Sequence, residues 1–132
     1  MKILLVDDDR AALYALTEVL ADVPARLVLA ESGEEGLRQV LRDDFALILL
    51  DVRLPKMDGF EVAAAIRSLE RTRRTPIIFM SANEDRRRRA RAGGDEYYFR
   101  KPLNPALVRE KVLALLPPLV LSERRAGSST AA

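Results

Sequence analysis

The chain has neither cysteine nor histidine. Without cysteine there is no disulfide framework, no thiolate metal site and no thiol nucleophile, and without histidine there is neither an imidazole base nor a phosphohistidine. Chemistry therefore falls to carboxylates, hydroxyls, lysine and a borrowed metal ion. Long apolar runs are missing too. None approaches the roughly 20 residues that cross a bilayer, and the opening Met-Lys-Ile-Leu-Leu-Val is far too short for a signal peptide, which places the chain in the cytoplasm. Neither sign of charge prevails: 22 Lys and Arg stand against 20 Asp and Glu, a formal net charge of +2, so the molecule is no polycation seeking nucleic acid, although arginine is locally concentrated. What is present is the balance of a globular protein, 48% hydrophobic and 32% charged over 132 residues, a single domain's worth with no internal repeat.

Ala46 to Leu50 is a continuous apolar run that ends on Asp51, the pattern of a strand covered on both faces of a parallel sheet. Leu54-Pro55-Lys56-Met57-Asp58-Gly59 then turns the chain, and Asp58 with Glu61 forms a capping box for a helix from about Gly59 to Glu70, with Phe60, Val62, Ile66 and Leu69 inward. The remaining chain repeats this alternation. Lys2 to Val6 is a strand ending on Asp7-Asp8-Asp9; Asp9 or Asp8 caps a helix carrying Leu13, Leu16 and Leu20 that ends before Pro24. Arg26 to Ala30 is a second strand, and Ser32 with Glu35 opens a helix with Leu37, Val40 and Leu41 as its apolar stripe, stopped by Asp43-Asp44. Arg71 to Arg74 reads as a basic surface turn. Pro76 to Met80 is the fourth strand and ends on Ser81, and Tyr97 to Lys101 is the fifth. Asn104-Pro105 starts a last helix with Leu107, Val108, Val112, Leu115 and Leu116 on its buried side, and Pro117-Pro118 ends it. Strand then helix, five times, with right-handed crossovers, makes a three-layer αβα sandwich around a parallel sheet.

In such a fold, ligands collect beyond the carboxyl ends of the strands. Asp7 and Asp8, Asp51, Ser81 and Lys101 all arrive at that edge. Three carboxylates held close together repel one another unless a cation neutralises them. Oxygen ligands without His or Cys point to a hard metal, and Mg²⁺ suits a site that also binds a phosphate. An aspartate beside it can attack phosphorus to give an acyl phosphate. Lys101 would pair with phosphoryl oxygens and Ser81 would donate to another. The plainer alternatives are capping and a solvated turn for Asp7 to Asp9, a surface lysine for Lys101 and a turn residue for Ser81; convergence on one edge favours the site.

LLVDDDR, LILLDVRLPKMDG, IIFMSA and YYFRKP, in this order, resemble the receiver domain of two-component response regulators, including the chemotaxis type. The resemblance spans residues 1–117 and leaves 118–132 as a disordered tail or the start of an interdomain linker. It implies a flavodoxin-like (βα)5 fold with strand order 2-1-3-4-5. By the same resemblance Asp51 is the phosphoacceptor, Asp8, Asp51 and the backbone carbonyl of Arg53 bind Mg²⁺ directly, and Asp7 acts through water. Ser81 is the switch hydroxyl, Tyr98 the aromatic that changes rotamer with it (Tyr97 being the neighbour it could be confused with), and Lys101 precedes a cis proline at Pro102. Such a domain is a signalling phosphoacceptor and not a turnover enzyme. Its phosphoryl donor is a histidine kinase or phosphotransfer protein, and it controls an output domain, a partner protein or a second copy through the face made by the fourth helix, fifth strand and last helix. Arg53 and Asn83 stand where the family tunes the lifetime of the phosphoryl group. The stretch from Ser81 to Gly94 is shorter than the family pattern.

That stretch predicts a short, weakly anchored helix over 83–92, polar nearly all round, with Arg86 to Arg89 and Arg91 exposed as a solvated face or, as the lesser reading, towards an acidic partner. A rival of another class is an aspartyl-phosphate hydrolase of the haloacid-dehalogenase type, since Asp7-x-Asp9 mimics its nucleophile pair; turnover of p-nitrophenyl phosphate separates the two. With no further domain after Pro118, the chain is expected to be a stand-alone receiver or the front of a longer regulator.

Overall fold

In a computed structural model of the chain, residues 1–82 and 97–118 are described. The helix predicted over 83–92, Asn83 and most of the proposed tail lie outside them. Five parallel strands, β1 (Lys2–Val6), β2 (Arg26–Ala30), β3 (Leu47–Asp51), β4 (Ile77–Ser81) and β5 (Tyr97–Arg100), form one sheet in the order β2-β1-β3-β4-β5. Among the described residues the α-helices are α1 (Arg10–Val19), α2 (Gly33–Arg42), α3 (Gly59–Ser68) and α4 (Pro105–Leu115). The period-two alternation of each strand divides the core. Leu4, Val6, Ile48, Leu50, Ile77 and Phe79 pack with Val40, Val62 and Ile66 of α2 and α3, while Ile3, Leu5, Leu47, Leu49, Ile78 and Met80 pack with Leu13, Leu16, Val108 and Val112 of α1 and α4. Both faces of β3 are covered, as its unbroken apolar run implied. Among the described residues no helix is long and apolar enough to cross a membrane.

Caps place the helix starts. Asp9, not Asp8, caps α1: its carboxylate accepts from the Ala11 and Ala12 amides at 2.9 and 3.4 Å. At α2, Ser32 accepts from the Glu35 amide at 3.1 Å, but Glu35 reaches past the cap to the Glu31 amide at 2.9 Å, so the expected box is displaced by one residue. Asp58 and Glu61 do form the reciprocal box at the start of α3. Asn104 caps α4 with Pro105 in its first turn.

Other expectations need correction. Leu41 is 65% exposed, because Gly33, Gly36 and Val40 carry the buried face of α2 and the next residue turns about 100° away from it. Leu107 on α4 is 52% exposed for the same reason, with Val108 and Val112 buried beside it. The helix α3 ends at Ser68, and a 3₁₀ turn, Glu70–Thr72, follows. This is more than a basic surface turn: Thr72 is buried with its hydroxyl on the Ile66 carbonyl at 2.6 Å, and Arg71 donates to the Val40 and Asp43 carbonyls that end α2. β4 and β5 are each one residue out of step with the expected bounds, β4 including Ser81 and β5 stopping before Lys101.

Candidate functional site

The carboxyl ends of β1 and β3 and the loop into α3 enclose a cleft of about 620 Å³ lined by Asp7, Asp8, Asp51, Arg53 and Lys101, among others. β3 delivers Asp51 as its last residue, 5% exposed. Asp7 continues from β1, is 1% exposed, and its backbone amide still bonds to Ala30 of β2 at 3.1 Å. Asp8 is exposed at the mouth. One oxygen from each of these three carboxylates falls within a 4.8 Å span.

Lys101 brings an ammonium to the cleft. Its Nζ donates to Asp7 Oδ2 at 2.8 Å and stands 3.7 Å from Asp51 Oδ2. Its own backbone amide bonds to the Ser81 carbonyl at 2.8 Å, so β4 holds the lysine in place, and the Lys101–Pro102 peptide bond is cis. Burial disfavours the lysine's charge, but the hydrogen bond to Asp7 and the charges of Asp51 and Asp7 outweigh it and raise its pKa. Asp7 Oδ1 also accepts from the Asp9 amide at 3.0 Å. Asp51 has weaker support, the Arg53 amide at 3.4 Å. Burial, followed by the field of Asp7, pushes its carboxyl up to about 6, with Lys101 and the Arg53 amide only partly opposing.

Three carboxylates thus face one ammonium, and the metal-ligating atoms they offer are all oxygens. That donor set fits a hard divalent cation with room for water or phosphate in its shell. Arg53 lines the same cleft. Ser81, buried, ends β4 one residue beyond Met80, the partner of Asp51 across the ladder. Strand alternation separates the two tyrosines. Tyr98 is 8% exposed and packs on the α2–α3 side, whereas Tyr97 packs on the α1–α4 side with the Lys111 ammonium 5.5 Å from its ring centre.

Two features escaped the sequence reading. The direct Asp7–Lys101 pair joins residues 94 apart, and nothing local announces it. Gly59 is packed so closely on the end of β3 that a Cβ there would collide with the Asp51 carbonyl oxygen and lie 2.8 Å from the Val52 Cα; in sequence the Asp-Gly pair signals only a turn and a cap. Lys56, in the same loop, takes a left-handed φ of 68°.

Residues 3–113 match the response regulator receiver domain family. The chain is 36% identical over 118 residues to the transcriptional regulatory protein CpxR of Escherichia coli K12, covering 87% of this chain and 49% of that protein. It resembles the response regulator TrrA of Thermotoga maritima, solved in complex with Mg²⁺ and BeF, at 31% identity and TM-score 0.79 over 87% of this chain and 98% of that one. It likewise resembles the Vibrio cholerae chemotaxis response regulator CheY4, at 27% identity and TM-score 0.80 over the same shares. The chain belongs to the receiver domain family of two-component response regulators, with the CheY-like, flavodoxin-like fold. It spans about half the length of the first transcriptional regulators it matches.

Proposed function

We propose that this receiver domain accepts a phosphoryl group on Asp51, with Mg²⁺, and that the acquired charge switches its partner surface. The observation that carries the reading is the meeting of Asp7, Asp8 and Asp51 within 4.8 Å under Lys101. Asp8, Asp51 and the Arg53 carbonyl are the direct metal ligands, and Asp7 acts through water while holding Lys101. Bound there, the cation neutralises the carboxylates and draws negative charge off the phosphoryl oxygens. Asp51 is ionised above its pKa of about 6 and attacks phosphorus; Lys101 pairs a phosphoryl oxygen, and the Ser81 hydroxyl donates to another. The donor is external, a histidine kinase, a phosphotransfer protein or a small acyl phosphate, since the chain has no histidine to phosphorylate.

A phosphoryl group adds nearly two negative charges and three acceptors. Drawing Ser81 inward and resettling Tyr98 couples that charge to the surface around β5 and α4. Moving such an equilibrium from 1:99 to 99:1 takes about 5.5 kcal/mol of differential interaction. Residues 1–117 form the receiver unit, and the following residues serve as tail or linker. Signalling and not turnover is the role, a reading supported by the match of residues 3–113 to the receiver domain family.

The test is acetyl phosphate with Mg²⁺, read by intact-mass spectrometry. Wild type gains one phosphoryl group and Asp51→Asn gains none; equal labelling of the variant removes Asp51 from the mechanism. In calorimetric titration, Asp8→Ala should weaken Mg²⁺ binding at least tenfold, and Asp7→Ala less. Undiminished affinity in Asp8→Ala would contradict the ligand assignment.

A further inference from the structure

β2 ends the strand order, so its outer edge pairs with no described strand. The ladder to β1 fixes which backbone groups lie on that edge. The Arg26 amide bonds to the Met1 carbonyl at 2.9 Å and the Ala30 carbonyl accepts from the Asp7 amide at 3.1 Å, so in this parallel register Arg26, Val28 and Ala30 turn their amides and carbonyls towards β1. Leu27 and Leu29 turn theirs outward. Natural edge strands are commonly blunted by a charge, a proline or a bulge. The middle of β2, Leu27-Val28-Leu29, carries no charge and no proline. On the α1 side Leu29 is 40% exposed and lines, with Leu13, Tyr14 and Thr17, an open depression beside the Arg10–Glu31 ion pair. Tyr14 is more exposed still.

We propose that this edge pairs with the β2 edge of a second copy of the chain, antiparallel, about a two-fold axis through Val28. The strand is complementary to itself in that register. Leu27 comes opposite Leu29 of the second copy, and Leu29 opposite its Leu27, so every outward amide and carbonyl of the two strands finds a partner. A shift of two residues either way draws in an amide already taken: that of Ala25, bonded to the Val23 carbonyl at 2.8 Å, or that of Glu31, bonded to the Glu35 carboxylate at 2.9 Å. Charge agrees at both ends, where Arg26 comes opposite Ala30 and next to Glu31 of the second copy. On the α1 side, Leu27, Leu29 and Tyr14 of the two copies cover one another. Two sheets thereby become one of ten strands, and because the copies run in opposite directions their acidic clefts open at opposite edges of it. The contact uses neither the cleft nor the face made by β5 and α4, and it does not depend on the reading of Asp51.

Two short strands make an interface at the small end of specific ones, so the dimer should be reversible, with a Kd of about 100 μM. The experiment takes the full chain, without a phosphoryl donor, from about 10 μM to about 1 mM, a range that spans this Kd. Sedimentation should pass from monomer to dimer. Amide hydrogen exchange of wild type should slow about fourfold at Leu27 and Leu29 over the same range, while Arg26, Val28 and Ala30, bonded to β1, do not change. Leu29→Lys, at a position already exposed, should weaken association at least about tenfold, since an edge lysine opposes pairing. The chain has no cysteine, so Val28→Cys supplies its one thiol, which should oxidise to a covalent dimer because residues paired across the axis lie about 4.5 Å apart at Cα. Leu27→Cys and Leu29→Cys, each facing a leucine, should not. A wild type that stays monomeric at the highest concentration overturns the inference. So does a dimer that Leu29→Lys leaves intact and Val28→Cys does not cross-link, for its contact lies on another surface. Leu27 and Leu29 amides equally protected at every concentration overturn it too, because the edge is then covered within one chain. Exchange in wild type is decisive, whatever the folding of the variants.

Discussion

Gly59→Ala should cost the domain about 3 kcal/mol, near the upper end of what overpacking a core usually costs. The added methyl meets backbone, the Asp51 carbonyl and the Val52 Cα, and not the yielding end of a side chain. Neither side can easily withdraw. The Val52 amide is bonded to Met80 across the sheet at 2.9 Å, and the Gly59 amide is bonded to the Val52 carbonyl at 2.8 Å. Retreat of the helix start would also break the Asp58–Glu61 box. Alanine's better helix propensity returns only about 0.5–1 kcal/mol. Gly36→Ala provides the contrast, since its nearest neighbour is a Val6 methyl at 3.1 Å, which can shift by a few tenths of an ångström. Urea unfolding should show a large loss of midpoint for Gly59→Ala and a small change for Gly36→Ala, with similar slopes. Because Asp51 shares the displaced backbone, the first variant should also accept phosphate more slowly. A Gly59→Ala unfolding free energy within about 0.5 kcal/mol of wild type, on the usual scale of surface substitutions, would mean that the helix start is free to move.

Much of this was legible because strand ends and helix starts carry local signals. An unbroken apolar run ending in Asp51, and Asn104-Pro105 opening a helix, announce themselves within a few residues. What was not legible depends on distance or on angle. Asp8 and Asp9 are equally good cap residues in composition, and only the chain path chose Asp9. Leu41 and Leu107 fit a helical stripe by spacing but stand at its edge, where neighbouring helices decide burial. Tyr97 and Tyr98 are interchangeable until the register, Phe79 opposite Tyr98, assigns each to a face. Arg71 looked like a solvated charge, yet it closes the end of α2 across 31 residues. The site followed the same rule: the residue types and their edge of the sheet were readable, whereas the pairing of Lys101 with Asp7 and the poor support of Asp51 were not.

That poor support carries the second large effect. The Asp51 carboxyl is raised from 3.8 to about 6, first by burial and then by Asp7. An acid whose folded pKa lies above its unfolded value holds its proton more tightly when folded, so stability falls as pH rises from about 4 to about 6 and stays low above that. The full shift corresponds to about 3 kcal/mol, and screening by water at the mouth of the cleft reduces it to about 2 kcal/mol. In the absence of divalent metal, Asp51→Asn should therefore be more stable than wild type at pH 7.5 by about 2 kcal/mol, several degrees in Tm. Wild type itself should gain about 1 kcal/mol between pH 7.5 and pH 5, and the variant should not. The ion pairs Asp22–Arg109 and Asp43–Lys2 work the other way, each lowering its carboxyl's pKa, but their loss falls below about pH 4, outside this window. Saturating Mg²⁺ should reverse the order of the two proteins at pH 7.5, because the cation compensates a charge that only wild type carries. Thermal melts at the two pH values, with EDTA and with Mg²⁺, are sufficient. A wild type that melts no lower than Asp51→Asn in EDTA at pH 7.5 would show that Asp7, Asp8 and Asp51 do not strain the fold, and that the cleft has no need of a cation.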